Sequence, residues 1–236
     1  FDKAHAMALV AILGTTISPY LFFWQAGQEV EEQHRRHVKP LCVAPRRAGS
    51  ELRRIRLDTM LGMGFSHLVA LFIVIATAAT LNAHGITNVE SSARAAEALR
   101  PIAGDFAFTL FAIGIIGTGM LAVPILAGSA AYAVSESFNW VEGLDRKPRE
   151  AKAFYATIAV ATLAGLTLNY VGVDPIKALY WAAVVNGILA APLMVVMMLI
   201  STNRAVMGKL AVSGRLAIGG WVATIVMGVV AIGFFV

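Results

Sequence analysis

The chain has 236 residues, of which 58% are hydrophobic and only 14% charged, against about 25% charged in soluble domains, and this excludes an ordinary soluble globule. The formal charge is +5, but the basic residues cluster between apolar blocks without aromatic interleaving, so a nucleic-acid partner is excluded and the lipid bilayer is the natural solvent. One cysteine, Cys42, cannot form an internal disulfide, and no Cys/His spacing fits structural zinc.

Phe1-Asp2-Lys3 leads into an apolar stretch with no cleavage-site pattern and no initiator Met, so the chain reads as a piece of a longer one without a signal peptide. Six membrane helices are predicted, at 4–24, 58–82, 105–134, 154–172, 176–201 and 215–236, making 1–236 a single all-α integral membrane domain. The first is interrupted at Gly14-Thr15-Thr16-Ile17-Ser18-Pro19-Tyr20. Pro19 lacks an N–H and clashes with the carbonyl four residues back, and Gly14 is a poor helix former. Unwound backbone at membrane depth is tolerated where protein covers it or a polar cavity receives it. Two readings remain open from spacing alone: a kink satisfied by Thr and Ser side chains, or a break that holds an ion.

The first loop carries Arg35, Arg36, Lys39, Arg46, Arg47, Arg53, Arg54 and Arg56. The third carries Arg146, Lys147, Arg149 and Lys152, and the fifth Arg204, Lys209 and Arg215. Alternate loops thus hold fifteen of the nineteen basic residues, which places loops 33–57, 135–153 and 202–214 in the cytoplasm and both termini outside. Glu29, Glu31 and Glu32 read as a solvated helix end, with an acidic inner vestibule as the alternative. In the second loop, residues 88–101 predict a short surface helix ended by Pro101. His67, in the second span, reads as a packing residue. Gly114, Gly117, Gly119, Gly128 and Ser129 read as close-approach positions, and Pro124 as a kink in the third span. Asn186, beside Gly187 and Pro192 in the fifth span, reads as an interhelical hydrogen-bonding residue or as one that faces an ion pathway. No nucleophile elbow, phosphate loop or metal-protease motif appears, so an enzyme is not expected.

The stretch Gly14–Tyr20 resembles the sixth-helix signature of the Nramp family (natural resistance-associated macrophage proteins). Leu110-Phe111-Ala112-Ile113-Gly114-Ile115-Ile116-Gly117-Thr118-Gly119 is similar to the family's eighth helix, and Ala127-Gly128 … Glu136 to the stretch beyond it. The resemblance implies a leucine-transporter-like fold of inverted repeats, with the six spans forming the second repeat and one further helix. It also implies divalent metal ions as substrate, with no cofactor, and the N-terminal half of the same protein as partner. An Asp-Pro-Gly-Asn motif on the family's first helix would supply a carboxylate that this chain, with no Asp or Glu at a span midpoint, lacks.

Most members carry Met-Pro-His where this chain has Ser18-Pro19-Tyr20. Exchanging a soft thioether for a hard hydroxyl moves the expected preference towards Mg²⁺ and Mn²⁺, with Fe²⁺ a further candidate, as in the Nramp-related magnesium transporters. By resemblance, Thr15 and Ser18 are candidate metal ligands and Gly14 and Pro19 maintain the break; Asn186 joins the candidate ligands from its place beside Gly187 and Pro192 and not from alignment with the glutamine that the family often has on that helix. Tyr20 and Gln25 stand where typical members have proton-route histidines, so passive or weakly coupled transport is expected. The resemblance also implies a multi-pass protein of the plasma membrane, such as a bacterial inner membrane. The competing readings are a symporter for another small solute on the same fold and a non-transporting receptor or scaffold.

Overall fold

A computed structural model describes residues 3–85, 89, 91–97 and 99–233. Among these, every regular element is helical: α1 (Lys3–Thr16), α2 (Pro19–Arg35), α3 (Ala48–Thr80), α4 (Ser92–Glu97), α5 (Arg100–Ala103), α6 (Ala107–Phe138), α7 (Lys152–Tyr170), α8 (Pro175–Thr202), α9 (Arg204–Met207) and α10 (Arg215–Gly233), with four short 3₁₀ turns. The chain is an all-α integral membrane protein.

Among the described residues, five helical stretches are long and apolar enough to cross a bilayer: Met7–Arg35, Pro45–Thr80, Gly104–Phe138, Pro175–Thr202 and Arg215–Gly233. The fourth predicted span, 154–172, coincides with α7, whose apolar part Lys152–Leu168 is shorter. The helices also outrun their predicted ends. α2 continues to Arg35, beyond the predicted 24, and α3 starts at Ala48, ten residues before 58. Hydropathy marks the stretch that lipid accepts, whereas Glu, Gln and Arg propagate a helix equally well in water. The loop helix at 88–101 is two pieces, α4 and α5, and Pro101 opens the second one in its first turn instead of closing the first; residues 88, 90 and 98 of that stretch lie outside the described ones, as do 234–236 of the last span.

Two packed groups share the apolar burial. In one, α1 crosses α8 and both meet α10, with Val10, Ala11, Ala183 and Val184 buried together and Ile188 and Val230 packed over them. In the other, α2 packs on α6 and α6 on α7, around Ala131, Tyr132, Ala151 and Phe154, with Trp24, Tyr155 and Ile158 against them. Since α1 and α2 are the two pieces of the interrupted span, the break is one covalent joint between the groups, and the short turn 171–174 from α7 to α8 is another. α3 stands away from both, with every residue from 57 to 75 exposed.

The α1–α8 crossing depends on glycine. A Cβ on Gly187 would come 2.5 Å from the Val10 carbonyl oxygen, and one on Gly14 would run into the backbone of Ala183 and Gly187. Of the predicted close-approach residues on α6, Gly128 fits, since a Cβ there would meet the Trp24 ring at 2.6 Å; Gly114, Gly117 and Gly119 face open space. α6 and α8 continue through Pro124 and Pro192. Asp174 starts α8 by accepting from the Ile176 and Lys177 amides at 2.8 and 3.2 Å, with Pro175 in the first turn.

Candidate functional site

α1 stops at Thr16 and α2 starts at Pro19. Ile17 N still donates to Leu13 O at 2.7 Å, the last regular bond before the interruption. Ser18 then turns extended, with φ −92° and ψ 125°, because the residue before a proline avoids the helical region. Pro19 has no N–H for the Thr15 carbonyl. The Ser18 hydroxyl takes over, donating to Gly14 O at 2.7 Å and to Thr15 O at 3.2 Å, and Ser18 is 1% exposed. A buried hydroxyl thus gathers two released carbonyls at one point, between the carbonyl end of α1 and the amide end of α2. Three oxygens meet there, Ser18 Oγ with the carbonyls of Gly14 and Thr15, all hard donors of the kind Mg²⁺ and Mn²⁺ accept.

The break opens into a cavity of about 720 Å³ between α2 and α3, lined among others by Thr16, Ser18, Leu21, Gln25, Glu29, Asp58 and Met63. Gln25 Nε2 donates to Thr59 Oγ1 at 3.1 Å across this space. Two carboxylates, Glu29 and Asp58, therefore share the cavity with Ser18. Glu29 is eleven residues on from Ser18, about 16 Å along the helix at 1.5 Å per residue, so the two cannot hold the same ion. Among the described residues no three His, Cys, Asp or Glu side chains converge as metal ligands.

The predicted site residues fall in different places. Ser18, Pro19 and the Gly14 and Thr15 carbonyls are together, while the Thr15 side chain is exposed and donates back to Ile12 O at 2.7 Å. Asn186 is half-buried on α8 next to Gly187, at the crossing with α1, and lies outside the cavity lining, which takes Met194 from that helix. Gln25 lines the cavity and Tyr20 does not. His67 is exposed, its Nδ1 2.6 Å from Met63 O.

Sequence reasoning missed the polar cluster that fastens α2 to the second group. Glu31, read as part of a solvated helix end, is 7% exposed. Its Oε1 accepts from the Tyr132 hydroxyl and, at 2.7 Å, from the Leu144 amide, while Gln28 Nε2 donates to the Tyr132 oxygen at 3.3 Å. Gly27 lets the Tyr132 ring approach, since a Cβ there would sit 3.1 Å from it. The available signal was a glycine followed one turn later by an acid, on a helix otherwise rich in large residues. Nearby, the Glu142 carboxyl is pushed up from the ordinary range, first by burial and then by the carboxylates of Glu136 and Glu31. Tyr132→Phe should remove one of the two donors to a buried carboxylate, at a cost of about 2 kcal/mol. Thermal unfolding of the full-length protein in detergent checks this, and an unchanged midpoint would count against the cluster as a fastening.

A sequence profile described as natural resistance-associated macrophage protein-like matches residues 1–236. Among curated proteins, the divalent metal cation transporter MntH of Deinococcus radiodurans is 22% identical over 234 residues, covering 94% of this chain and 47% of that protein. MntH of Acidiphilium cryptum is 27% identical over 223 residues, covering 91% and 46%, and MntH of Agrobacterium fabrum 26% over 219, covering 92% and 45%. The chain spans about half the length of these curated relatives.

Proposed function

The chain belongs to the natural resistance-associated macrophage protein-like family, and from that premise we propose that it serves, within a longer polypeptide, in carrying divalent metal ions across a membrane. Family members of this kind are transporters and not enzymes, and the metal is substrate here. The observation that carries the reading is Ser18: a buried hydroxyl drawing together the Gly14 and Thr15 carbonyls at an unwound turn beside a large cavity. In a bilayer, such backbone is tolerated where protein covers it or where it lines a polar path, and in transporters breaks of this kind hold the cargo.

The donor set favours Mg²⁺ and Mn²⁺ over softer ions. Hydroxyl and carbonyl oxygens are hard ligands, and the adjoining space leaves room for an ion that keeps part of its water, as Mg²⁺ does. In this reading Ser18 Oγ and the Thr15 carbonyl are ligands, and Pro19 and Gly14 hold the break open. Asn186, outside the cavity lining, is not placed in the ligand set. A carboxylate comes from the half of the protein that precedes this chain. Neither Tyr20 nor Gln25 offers the imidazole of a proton relay, so proton coupling through them is weak or absent. The basic loops 33–57, 135–153 and 202–214 face the cytoplasm of a plasma membrane.

Proteoliposomes containing the full-length protein test the reading directly. Uptake of Mn²⁺ that Mg²⁺ inhibits, with little change of internal pH, is the expected result. Uptake of neither ion would sink the proposal, and a metal-driven internal acidification would overturn the coupling part of it.

A further inference from the structure

The lining of the large cavity reaches along α2 to Glu29, on the side of the basic first loop. There Arg54 of α3 donates to Glu29 Oε2 of α2 at 2.7 Å and to Glu51 Oε2 at 3.1 Å. Glu51 continues the network through Oε1 to Arg36 at 3.6 Å, and Arg36 to Glu32 at 2.7 Å. These groups enclose a second space of only about 20 Å³, room for about one water molecule. Glu29 lines both spaces, so its paired carboxylate is the wall between them. A space of that size has no room for a hydrated divalent ion.

We propose that Arg54 is a positioning residue that closes the mouth of the cavity on the basic-loop side, by clasping Glu29 of α2 to Glu51 of α3. Above the clasp α3 is exposed all round from 57 to 75, and among the described residues the side-chain hydrogen bonds between α3 and α2 run from Arg54 to Glu29 and from Gln25 to Thr59. With Arg54 released, the longer Arg36–Glu51 pair at 3.6 Å and the Gln25–Thr59 bond remain as polar ties, so the lower end of α3 can swing without breaking either apolar cluster. The side chains of Arg54 and Glu29 are 39% and 23% exposed, and a half-solvated pair of this kind opens and recloses easily. Asp58 lies one helical turn beyond Arg54 and lines the cavity. A divalent cation held near Asp58 repels the guanidinium and competes with it for Glu29, which ties arrival of the ion to opening of the clasp.

The role of the clasp in ion exit rests on the transport reading above; its closing of the cavity does not. The test uses full-length protein in vesicles, with its native cysteines, Cys42 included, changed to serine and Met63→Cys placed in the cavity. A bulky, membrane-impermeant maleimide is applied from the basic-loop side without metal. Arg54→Gln should raise the labelling rate at least threefold, and Glu29→Gln should do the same from the other partner, which covers a failure of either variant to fold. The exchange Glu29→Arg with Arg54→Glu, which moves the guanidinium to α2, should return the rate to within twofold of the parent. Unchanged labelling in both single variants would overturn the clasp, as would an exchanged protein that elutes as a single species and still labels fast. A parent protein that carries no metal while Arg54→Gln labels faster would sink the transport reading and leave the clasp standing. Intact uptake with labelling unchanged in the variants would do the reverse.

Discussion

Gly14→Ala in the full-length protein is expected to cost at least about 3 kcal/mol, at or beyond the upper end of ordinary overpacking, and to abolish accumulation of folded protein or lower its unfolding midpoint sharply. The reason is geometric. The added Cβ would meet the Ala183 carbonyl oxygen head on and lie 2.5 Å from Gly187 N and 2.9 Å from Gly187 Cα. Backbone of a second helix cannot turn aside as a side chain does, so α1 and α8 must separate along the crossing that buries Val10 and Val184. Gly228→Ala on α10 has nothing within 4 Å to meet and, with alanine the better helix former, should be neutral or slightly stabilising. Thermal unfolding followed by size-exclusion in detergent compares the two. Equal midpoints would show that the crossing is looser than described.

Ser18 is the position where a single side chain should change the cargo. Ser18→Ala withdraws the donor shared by the Gly14 and Thr15 carbonyls at a buried point. Leaving such groups unpaired costs about 1–3 kcal/mol of stability, and since even an outer-shell change costs about 10–100-fold in metal affinity, loss of this oxygen should lower metal uptake about tenfold or more. Ser18→Met asks a different question. The neighbouring cavity of about 720 Å³ has room for the longer side chain, and its thioether is a soft ligand that penalises Mg²⁺. The expected outcome is Mn²⁺ uptake retained and inhibition by Mg²⁺ weakened at least tenfold. Equal Mg²⁺ inhibition in parent and Ser18→Met would remove Ser18 from the ligand set.

The break itself was legible in the sequence because its causes are local. Proline, its preceding residue and a glycine within six positions suffice to stop one helix at Thr16 and start the next at Pro19. The extension of α2 to Arg35 was not, since hydropathy reports where lipid ends and not where the helix does. Glu31 shows the larger difficulty. Its partners, Tyr132 and the Leu144 amide, lie 101 and 113 residues away, and no spacing rule joins groups so far apart until α2 and α6 have packed. Asn186 was singled out for its polarity, whereas the contact with α1 is made by Gly187, one residue and about 100° further round the helix. At an interface of small residues, helical phase decides which position touches, and a single sequence leaves that phase open.

α2 is 17 residues long, or about 25 Å at 1.5 Å per residue, and it is fastened along its length to α6 while α1 is locked against α8. Relative rotation of the two groups therefore turns the chain at Ile17 and Ser18, as it does at the turn between α7 and α8. The arrangement has leverage. A turn of about 10° at those two residues sweeps the far end of α2 through about 4 Å and the position of Glu29, about 16 Å out, through about 3 Å, as far as the contact that holds Glu29 to Arg54 is long.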